Sequence, residues 1–345
     1  MKSVRTALGL ARNGTGKCRI LFAGDSTTYG YQCTNYTTDN IAQVTLEMLA
    51  AFTAPTRMGI IYPREATGII QRSYIVYGAG WTNTAGYGLA GLGALTGAAS
   101  AASNLDIGPF DCNGFIVYWI RRAATSTFNL TIDAEAPTAT GGSGADLLMT
   151  TTVAAAAFGT HTLHIGTIGA GATGAIIIGV EPIVGASPGT GVYVANAGTG
   201  GSKSGDWNAP TGAWATFNVA WDVPQPNLSV IDLGINDMGT NVLPATFQTN
   251  LTAIVTKAQT YGSVLLVVPH ERTDATFTYP WSQYVAAIQA VATAKAVPVL
   301  NVGTLLGGTI ASAAGGAYDS GDHIHMNTLG YYLKARAIVR AITSG

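Results

Sequence analysis

Five compact apolar runs rich in β-branched residues, each closed by Gly, Pro or Asn, punctuate the chain: Arg19 to Ala23, Gly191 to Ala195, Leu228 to Leu233, Ser263 to Val268 and Val297 to Val302. Apolar runs without alternation suit strands of a parallel sheet covered on both faces. Helical stretches lie between and after them, at Thr38 to Ala51, Pro244 to Tyr261, Trp281 to Ala296 and Asn327 to Ile342. Pro244 falls in a first turn, and Asn327 or Thr328 supplies an N-cap. Strand-helix alternation of this kind predicts an α/β fold, a three-layer α/β/α sandwich with a parallel sheet and right-handed crossovers.

From about residue 66 to 185 the rhythm changes, and Gly, Ala and Thr dominate. Gly114 to Arg122, Thr125 to Ala134, Leu147 to Val153, Thr160 to Ile168 and Ala175 to Val184 read as antiparallel strands. Phe128, Leu130 and Ile132 alternate with polar neighbours, as do Leu163 and Ile165, the period-two pattern of a half-buried sheet. The expected organisation is a discontinuous domain, residues 1–65 and 186–345, interrupted by an inserted antiparallel β-sandwich over 66–185. The other reading of the insert is an elaborated loop region wrapped on the main domain.

Composition narrows the partners. Only 10% of the 345 residues are charged and 48% are hydrophobic, against roughly 25% charged in an average soluble domain. The chain can bury a core, and disorder is not expected. Seventeen Lys and Arg against eighteen Asp and Glu give a formal net charge of −1, which offers no footprint for nucleic acid or anionic lipid. No apolar stretch approaches the roughly 18 residues of a membrane span. Ala7 to Ala11 is too short for a signal-peptide core and runs into Arg12, so no secretion signal is visible. Cys18, Cys33 and Cys112 form no CxxC pair and no closed disulfide framework.

Four segments carry candidate chemistry. Gly24-Asp25-Ser26-Thr27 directly follows the first run, where a sharp exit leaves Ser26 at the sheet's C-terminal edge. Asn196-Ala-Gly-Thr-Gly-Gly201 follows the second; its small residues let a backbone N–H such as that of Gly201 approach an oxyanion. Gly234-Ile-Asn236-Asp237 follows the third, and an Asn amide there can donate into the same cleft. Asp322-His-Ile-His325 stands just before the last helix, a spacing that lets a carboxylate fix one imidazole nitrogen while the other faces a nucleophile. Taken singly, each also reads as an ordinary turn, cap or exposed loop.

Together and in this order they resemble the GDSL/SGNH hydrolase family, whose blocks carry Ser in a Gly-Asp-Ser turn, a Gly, an Asn in Gly-x-Asn-Asp and a C-terminal Asp-x-x-His. The resemblance covers about residues 17 to 60 and 190 to 343. It implies a serine esterase with Ser26 as nucleophile, His325 as general base and Asp322 orienting it. The implied oxyanion hole is the Ser26 N–H, Gly201 and Asn236, with Gly198 or Gly200 able to replace Gly201. Met326 stands where the family often has Pro. The resemblance further implies no cofactor, and as substrate a short acyl group, acetyl above all, on a carbohydrate. The Gly-Asp-Ser-Thr-Thr opening looks like GDSL domains of phage tails, which implies an extracellular or virion-associated location. The rival readings are a lipid esterase or thioesterase, and a non-catalytic glycan-binding tail or adhesion module.

Other signals weigh less. Gly185-Ala-Ser187-Pro-Gly189 matches the Gly-x-Ser-x-Gly elbow, but Pro188 has no N–H to donate where that elbow needs one, so Ser187 is rejected. His323 with His325, and His161 with His164, raise a metal site; strand residues three apart face opposite ways and no Cys or Glu cluster adds ligands, so none is expected. Asp25 and His270, at the same sheet edge, are candidate substrate contacts, with a capping or turn role as the alternative for His270. Trp207, Trp214 and Trp221 suit packing better than sugar stacking. A neutral imidazole base predicts activity rising through about pH 6.5 unless its carboxylate partner shifts it.

Overall fold

The computed structural model describes residues 1–35, 38–51, 56–59, 61, 74–84, 94–97, 104–123, 127–142, 144–145, 147–167, 174–185, 189–208, 219–307 and 309–344. Ser187, Pro188 and Trp214 lie outside them. The chain opens with α1 (Lys2–Arg12), β1 (Lys17–Gly24), the single turn α2 (Ser26–Tyr29), α3 (Ile41–Ala50) and β2 (Thr56–Met58). Eight strands follow: β3 (Ile75–Tyr77), β4 (Trp81–Thr84), β5 (Ala94–Gly97), β6 (Leu105–Arg121), β7 (Thr127–Ile132), β8 (Thr138–Gly141), β9 (Leu147–Thr167) and β10 (Ile176–Ile183). Next come β11 (Gly191–Asn196), α4 (Ser204–Trp207), α5 (Val219–Asp222), β12 (Leu228–Asp232), α6 (Ile235–Gly239) and α7 (Pro244–Gln259). The remainder is β13 (Ser263–Val268), α8 (Trp281–Lys295), β14 (Val299–Asn301), α9 (Val302–Leu306) and α10 (Thr328–Thr343). Two compact units result, one of Met1–Arg57, Gly191–Pro210 and Pro224–Gly345, the other of Met58–Thr190 and Thr211–Val223.

The first unit holds a six-stranded sheet in the order β14-β13-β12-β1-β11-β2. β1 pairs in parallel with β11 on one side and β12 on the other, and β12-β13-β14 continue in parallel. The α/β class with a parallel sheet is therefore as expected. Its inner strands are mainly apolar and buried because both faces are covered. Cys18, Ile20 and Phe22 pack into a core with Val192, Val230, Leu265 and the apolar stripes of α1, α3 and α10. Leu21 and Ala23 are equally buried and, by the two-residue period, face the other way. On β13 the helices α7 and α8 cover that second face. Local chemistry sets the helix ends. Asn40 starts α3 by accepting from the N–H groups of Ala42 and Gln43, and Asn327 starts α10 by accepting from Gly330 at 3.1 Å. Pro244 stands at the start of α7, where no N–H is required. The chain switches sides of β1 between β11 and β12, which makes the C-terminal end of β1 the crevice where open α/β sheets bind ligands.

The second unit is built on an eight-stranded sheet, β4-β5-β10-β6-β9-β7-β8 with β3 beside β6; the pairings that carry it are antiparallel. β6 and β9 run together almost end to end, with irregularities between Ile107 and Phe110 and between Cys112 and Gly114. Phe128 pairs with Thr167 and Trp119 with Met149, near opposite ends of the 21-residue β9. A straight strand of that length spans roughly 70 Å, yet the Trp119 and Phe128 rings lie 5.4 Å apart, edge to face. The sheet therefore doubles over, and both faces of its core, with Leu105, Val117, Leu130, Leu163 and Ile177, come from one continuously hydrogen-bonded sheet. Two features differ from expectation: β6 starts at Leu105 rather than Gly114, and the runs from Leu147 and from Thr160 are one strand.

Candidate active site

The site starts at the end of β1. A Cβ on Gly24 would stand 2.1 Å from the Thr28 hydroxyl oxygen and 2.4 Å from the Asp232 carbonyl oxygen, so only glycine permits the turn. Asp25 then caps α2, its Oδ1 accepting the Thr27 N–H at 2.8 Å, an interaction of about 1 kcal/mol in comparable helices. Gly30, at φ 96°, ends the turn. Ser26 is thereby the first residue of α2, 8% exposed, and its own N–H makes no hydrogen bond among the described residues.

The segment before α10 brings the imidazole. Ser26 Oγ lies 2.8 Å from His325 Nε2, and His325 Nδ1 lies 2.6 Å from Asp322 Oδ2. With Nδ1–H donating to the carboxylate, Nε2 is left to accept the serine proton. Asp322 Oδ1 accepts from the N–H groups of Ile324 (2.9 Å) and His325 (2.8 Å) and from the Ser320 hydroxyl (3.1 Å). Burial opposes charge on Asp322, but the His325 imidazole and those two N–H groups outweigh it and hold the carboxyl below its ordinary range. The segment is itself pinned. The loop after β13 donates to it twice, from His270 Nε2 to the Ile324 carbonyl at 2.7 Å and from the Thr273 N–H to the His323 carbonyl at 3.0 Å. Asp319 binds the His323 ring and accepts from the Gly321 and His323 N–H groups. The Tyr31 ring stands edge-on to the His325 ring at 4.6 Å.

Two further loops supply donors. Asn236, in the first turn of α6, uses one amide hydrogen on the Ser202 carbonyl at 3.1 Å and keeps the other. Asp237 beside it is fully buried and accepts from the N–H and hydroxyl of Ser204, which ties α6 to the glycine-rich loop. Burial pushes the Asp237 carboxyl up, and the Ser204 contacts hold it back. Within the loop, the Gly198 N–H is already committed to Asn196 Oδ1 at 2.9 Å, and a Cβ there would stand 2.3 Å from the Tyr29 nitrogen. Gly198 is thus a close-packing residue and not an available donor. Gly200 and Gly201 make no N–H hydrogen bond among the described residues and have open space where a side chain would point.

The structure brings Ser26, Asp322 and His325 into one relay and sets Asn236 and the Gly200–Gly201 turn on loops tied to each other. Two expectations need correcting. Asp25 and His270 are 0% exposed, one committed to a helix cap and the other to the Ile324 carbonyl, so neither side chain meets a substrate. Trp207 is buried as well, which fits packing. The His residues raised as metal ligands go elsewhere: His161 to Asp133, His164 to Asp106, His323 to Asp319. A buried pair that sequence reading missed, Asp232 with Lys334, lies beneath the turn, both 1% exposed or less. Its signal was available, since Lys334 sits in the apolar stripe of α10 with Tyr331, Ala335 and Ile338, where a charge calls for an opposite charge beneath it.

Residues 181–333 match the GDSL-like lipase/acylhydrolase family, a stretch that contains the glycine-rich loop, Asn236 and both Asp322 and His325. Ser26 falls outside it, with most of the second unit lying between Ser26 and the start of the match in sequence. With this match, the class is that of a carboxylic ester hydrolase on the GDSL/SGNH fold. A solved structure described as a peptidoglycan O-acetylesterase superposes with a TM-score of 0.70 at 16% identity, over 98% of this chain and 94% of that one, so the shared fold runs through both units. An acetylxylan esterase from Geobacillus stearothermophilus (18% identity, 46% of this chain and 76% of that one, TM-score 0.36) is also similar. So is a psychrotrophic esterase from Pseudoalteromonas sp. (19% identity, 44% and 75%, TM-score 0.34). No curated protein matches the chain. Among the described residues no helix is long and apolar enough to cross a membrane.

Proposed function

We propose that this protein is a serine esterase that removes short acyl groups, acetyl first among them, from a carbohydrate. The reading is carried by one observation, the unbroken chain from Ser26 Oγ through His325 to Asp322. In the first half-reaction the Ser26 proton passes to His325 Nε2 while Oγ bonds to the ester carbonyl carbon. Negative charge on the carbonyl oxygen is received by the Ser26 N–H, the free Asn236 amide hydrogen and the N–H of Gly201 or Gly200. The carbon–oxygen bond to the sugar then breaks, and the imidazolium returns its proton to the departing hydroxyl. Water repeats the sequence on the acyl-serine, releasing the acid and free Ser26. Asp322, held ionised by its N–H partners, stabilises the imidazolium in both halves.

The carbohydrate part rests on the likeness in fold to a peptidoglycan O-acetylesterase and on the family blocks in the sequence. It extends to acylated cell-surface glycans as substrate and to an extracellular or virion-associated place of action. The test is acetate release from a panel of acetylated polysaccharides, peptidoglycan included, with simple esters of increasing acyl length as competitors. Wild type should release acetate, and Ser26→Ala should lose roughly a thousandfold or more. Equal rates for the two would remove Ser26 from the chemistry. A preference for long acyl chains would replace the carbohydrate ester by a lipid.

A further inference from the structure

Behind the nucleophile lies a group of ionisable side chains that the relay does not use. Asp25, His270 and Lys334 are 0% exposed and Asp232 is 1% exposed. They come from four places: the cap of α2, the loop after β13, α10 and the end of β12. Thr27 ties the two carboxylates together, its N–H donating to Asp25 Oδ1 at 2.8 Å and its hydroxyl to Asp232 Oδ2 at 3.4 Å. Asp232 Oδ2 also accepts from the Thr28 hydroxyl at 3.0 Å and from the Lys334 ammonium. A buried charge is costly unless an opposite charge meets it. Lys334 answers one carboxylate. With Asp25 ionised, a second would stand uncompensated in the interior.

Hydrogen bonding points the same way. Asp25 Oδ2, Asp232 Oδ1 and His270 Nδ1 are buried without a partner among the described residues. His270 Nε2 faces the Ile324 carbonyl, which can only accept, so that nitrogen carries the proton and Nδ1 is a bare lone pair. All three orphaned atoms are therefore acceptors. One proton on Asp25 Oδ2 brings the net charge of the group to zero and turns one acceptor into the missing donor.

We propose that Asp25 works as a neutral carboxylic acid and is a positioning residue for Ser26, capping α2 with one oxygen and anchoring that cap to the buried acceptors with the O–H of the other. Burial, and after it the charge of Asp232, push the Asp25 carboxyl up to about 7, against the Thr27 and Lys334 contacts. The titratable groups acting on it are Asp232 from β12 and Lys334 from α10; the same two act on His270 in the loop after β13, as does His325. Burial, with Lys334, holds the His270 imidazole down at about 4, so it stays neutral while Asp25 titrates. Loss of the proton leaves two like charges sharing one cation and loosens the cap from which Ser26 projects. The alkaline side of the esterase profile then belongs to Asp25, a consequence that rests on the serine-esterase reading.

The experiment is carbon NMR of the full chain carrying carboxyl-labelled aspartate, recorded against pH, with Asp25→Asn to assign the resonance. The expected result is a resonance absent from D25N that is still protonated at about pH 6 and titrates near neutrality. A resonance already ionised there overturns the proposal, and a donor brought in from outside the chain, such as water, gives that same result. This readout needs no substrate, so a failure of the esterase reading leaves it intact. In activity, D25N should stay within about threefold of wild type at pH 6 and hold level to about pH 9 while wild type falls, since an amide also caps and donates. Asp25→Ala, which removes cap and donor together, should lose about tenfold or more at both pH values. Identical alkaline limbs for wild type and D25N would sink the positioning role.

Discussion

The two units bury very different interiors. Among the described residues, the buried polar and charged side chains are concentrated around the parallel sheet, including Ser26, Asn196, Ser204, Asp232, Asp237, His270, His325 and Lys334. In the antiparallel unit Glu181 stands alone in that class, answered by the Tyr118 hydroxyl at 2.9 Å. One interior is wired, the other dry. Stability in the dry one comes from apolar area and shape, which tolerate wide changes of sequence. In the wired one each buried polar atom needs a specific partner, and removing one leaves the other stranded.

Substitutions can break this contrast, and the largest effect belongs to the relay. Ser26→Ala should cost roughly a thousandfold or more in turnover while leaving the unfolding free energy within about 1 kcal/mol, since it deletes only a hydroxyl. In the dry interior the balance reverses. Phe128→Ala, which empties the space beside Trp119, should lower stability by about 3–5 kcal/mol in denaturant titrations and leave kcat per folded molecule unchanged. A matching fall in kcat would show that the interiors are not separate in energy. Asn236→Ala should reduce turnover about a hundredfold, with KM moving less, if its amide meets the oxyanion; unchanged turnover removes it from that role.

The smallest effect sharpens the comparison at the surface of the dry unit. His161 Nδ1 faces Asp133 Oδ2 at 2.7 Å and Nε2 faces the Ala157 carbonyl at 3.1 Å, so only the doubly protonated ring satisfies both. The Asp133 hydrogen bond raises the His161 pKa against its desolvation, and the same bond lowers that of Asp133. A raised imidazole pKa adds stability that is complete below the unfolded value of about 6.5 and disappears as pH climbs through the folded one. Because Asp133 is half-exposed, the contribution should stay below about 1 kcal/mol and shrink in salt. Asp133→Asn should flatten the loss of stability on the alkaline side, read as the denaturation midpoint against pH. An unchanged slope assigns that loss elsewhere.

The parallel sheet was legible because both of its faces are covered, which leaves runs such as Val264 to Val268 uniformly apolar. The candidate relay was legible because Ser26 follows a strand end while Asp322 and His325 stand three apart just before the last helix, in a recognisable order. What escaped did so for physical reasons. Val4, Ala7, Leu8 and Ala11 form the buried stripe of α1 at regular helical spacing, but a basic, apolar start fits a leader as well as a helix. Ala154 to Gly159 has little strand preference of its own, and only its two ends pair with β6, Ala154 with Gly114 and Gly159 with Cys112. At the site, the glycine of the oxyanion loop stayed open among three candidates, and only the Asn196 bond to Gly198 removes one of them. Asp25 and His270 stand where substrate contacts stand; their complete burial comes from neighbours distant in sequence that no local pattern names.

Ser26 and the imidazole it bonds are 299 positions apart in the chain. At a synthesis rate of about 5–20 residues per second, the ribosome needs roughly 15–60 s to travel between them. Throughout the first part of that interval β1 has emerged, yet β11 and β12, its partners on either side, have not been translated. The doubled-over sheet, whose strands follow one another closely, can close during this wait, while the nucleophile block remains a lone apolar strand in need of shelter. Such long-range closure is slow and exposes sticky edges, so the yield of active protein depends on how well the newborn chain is chaperoned.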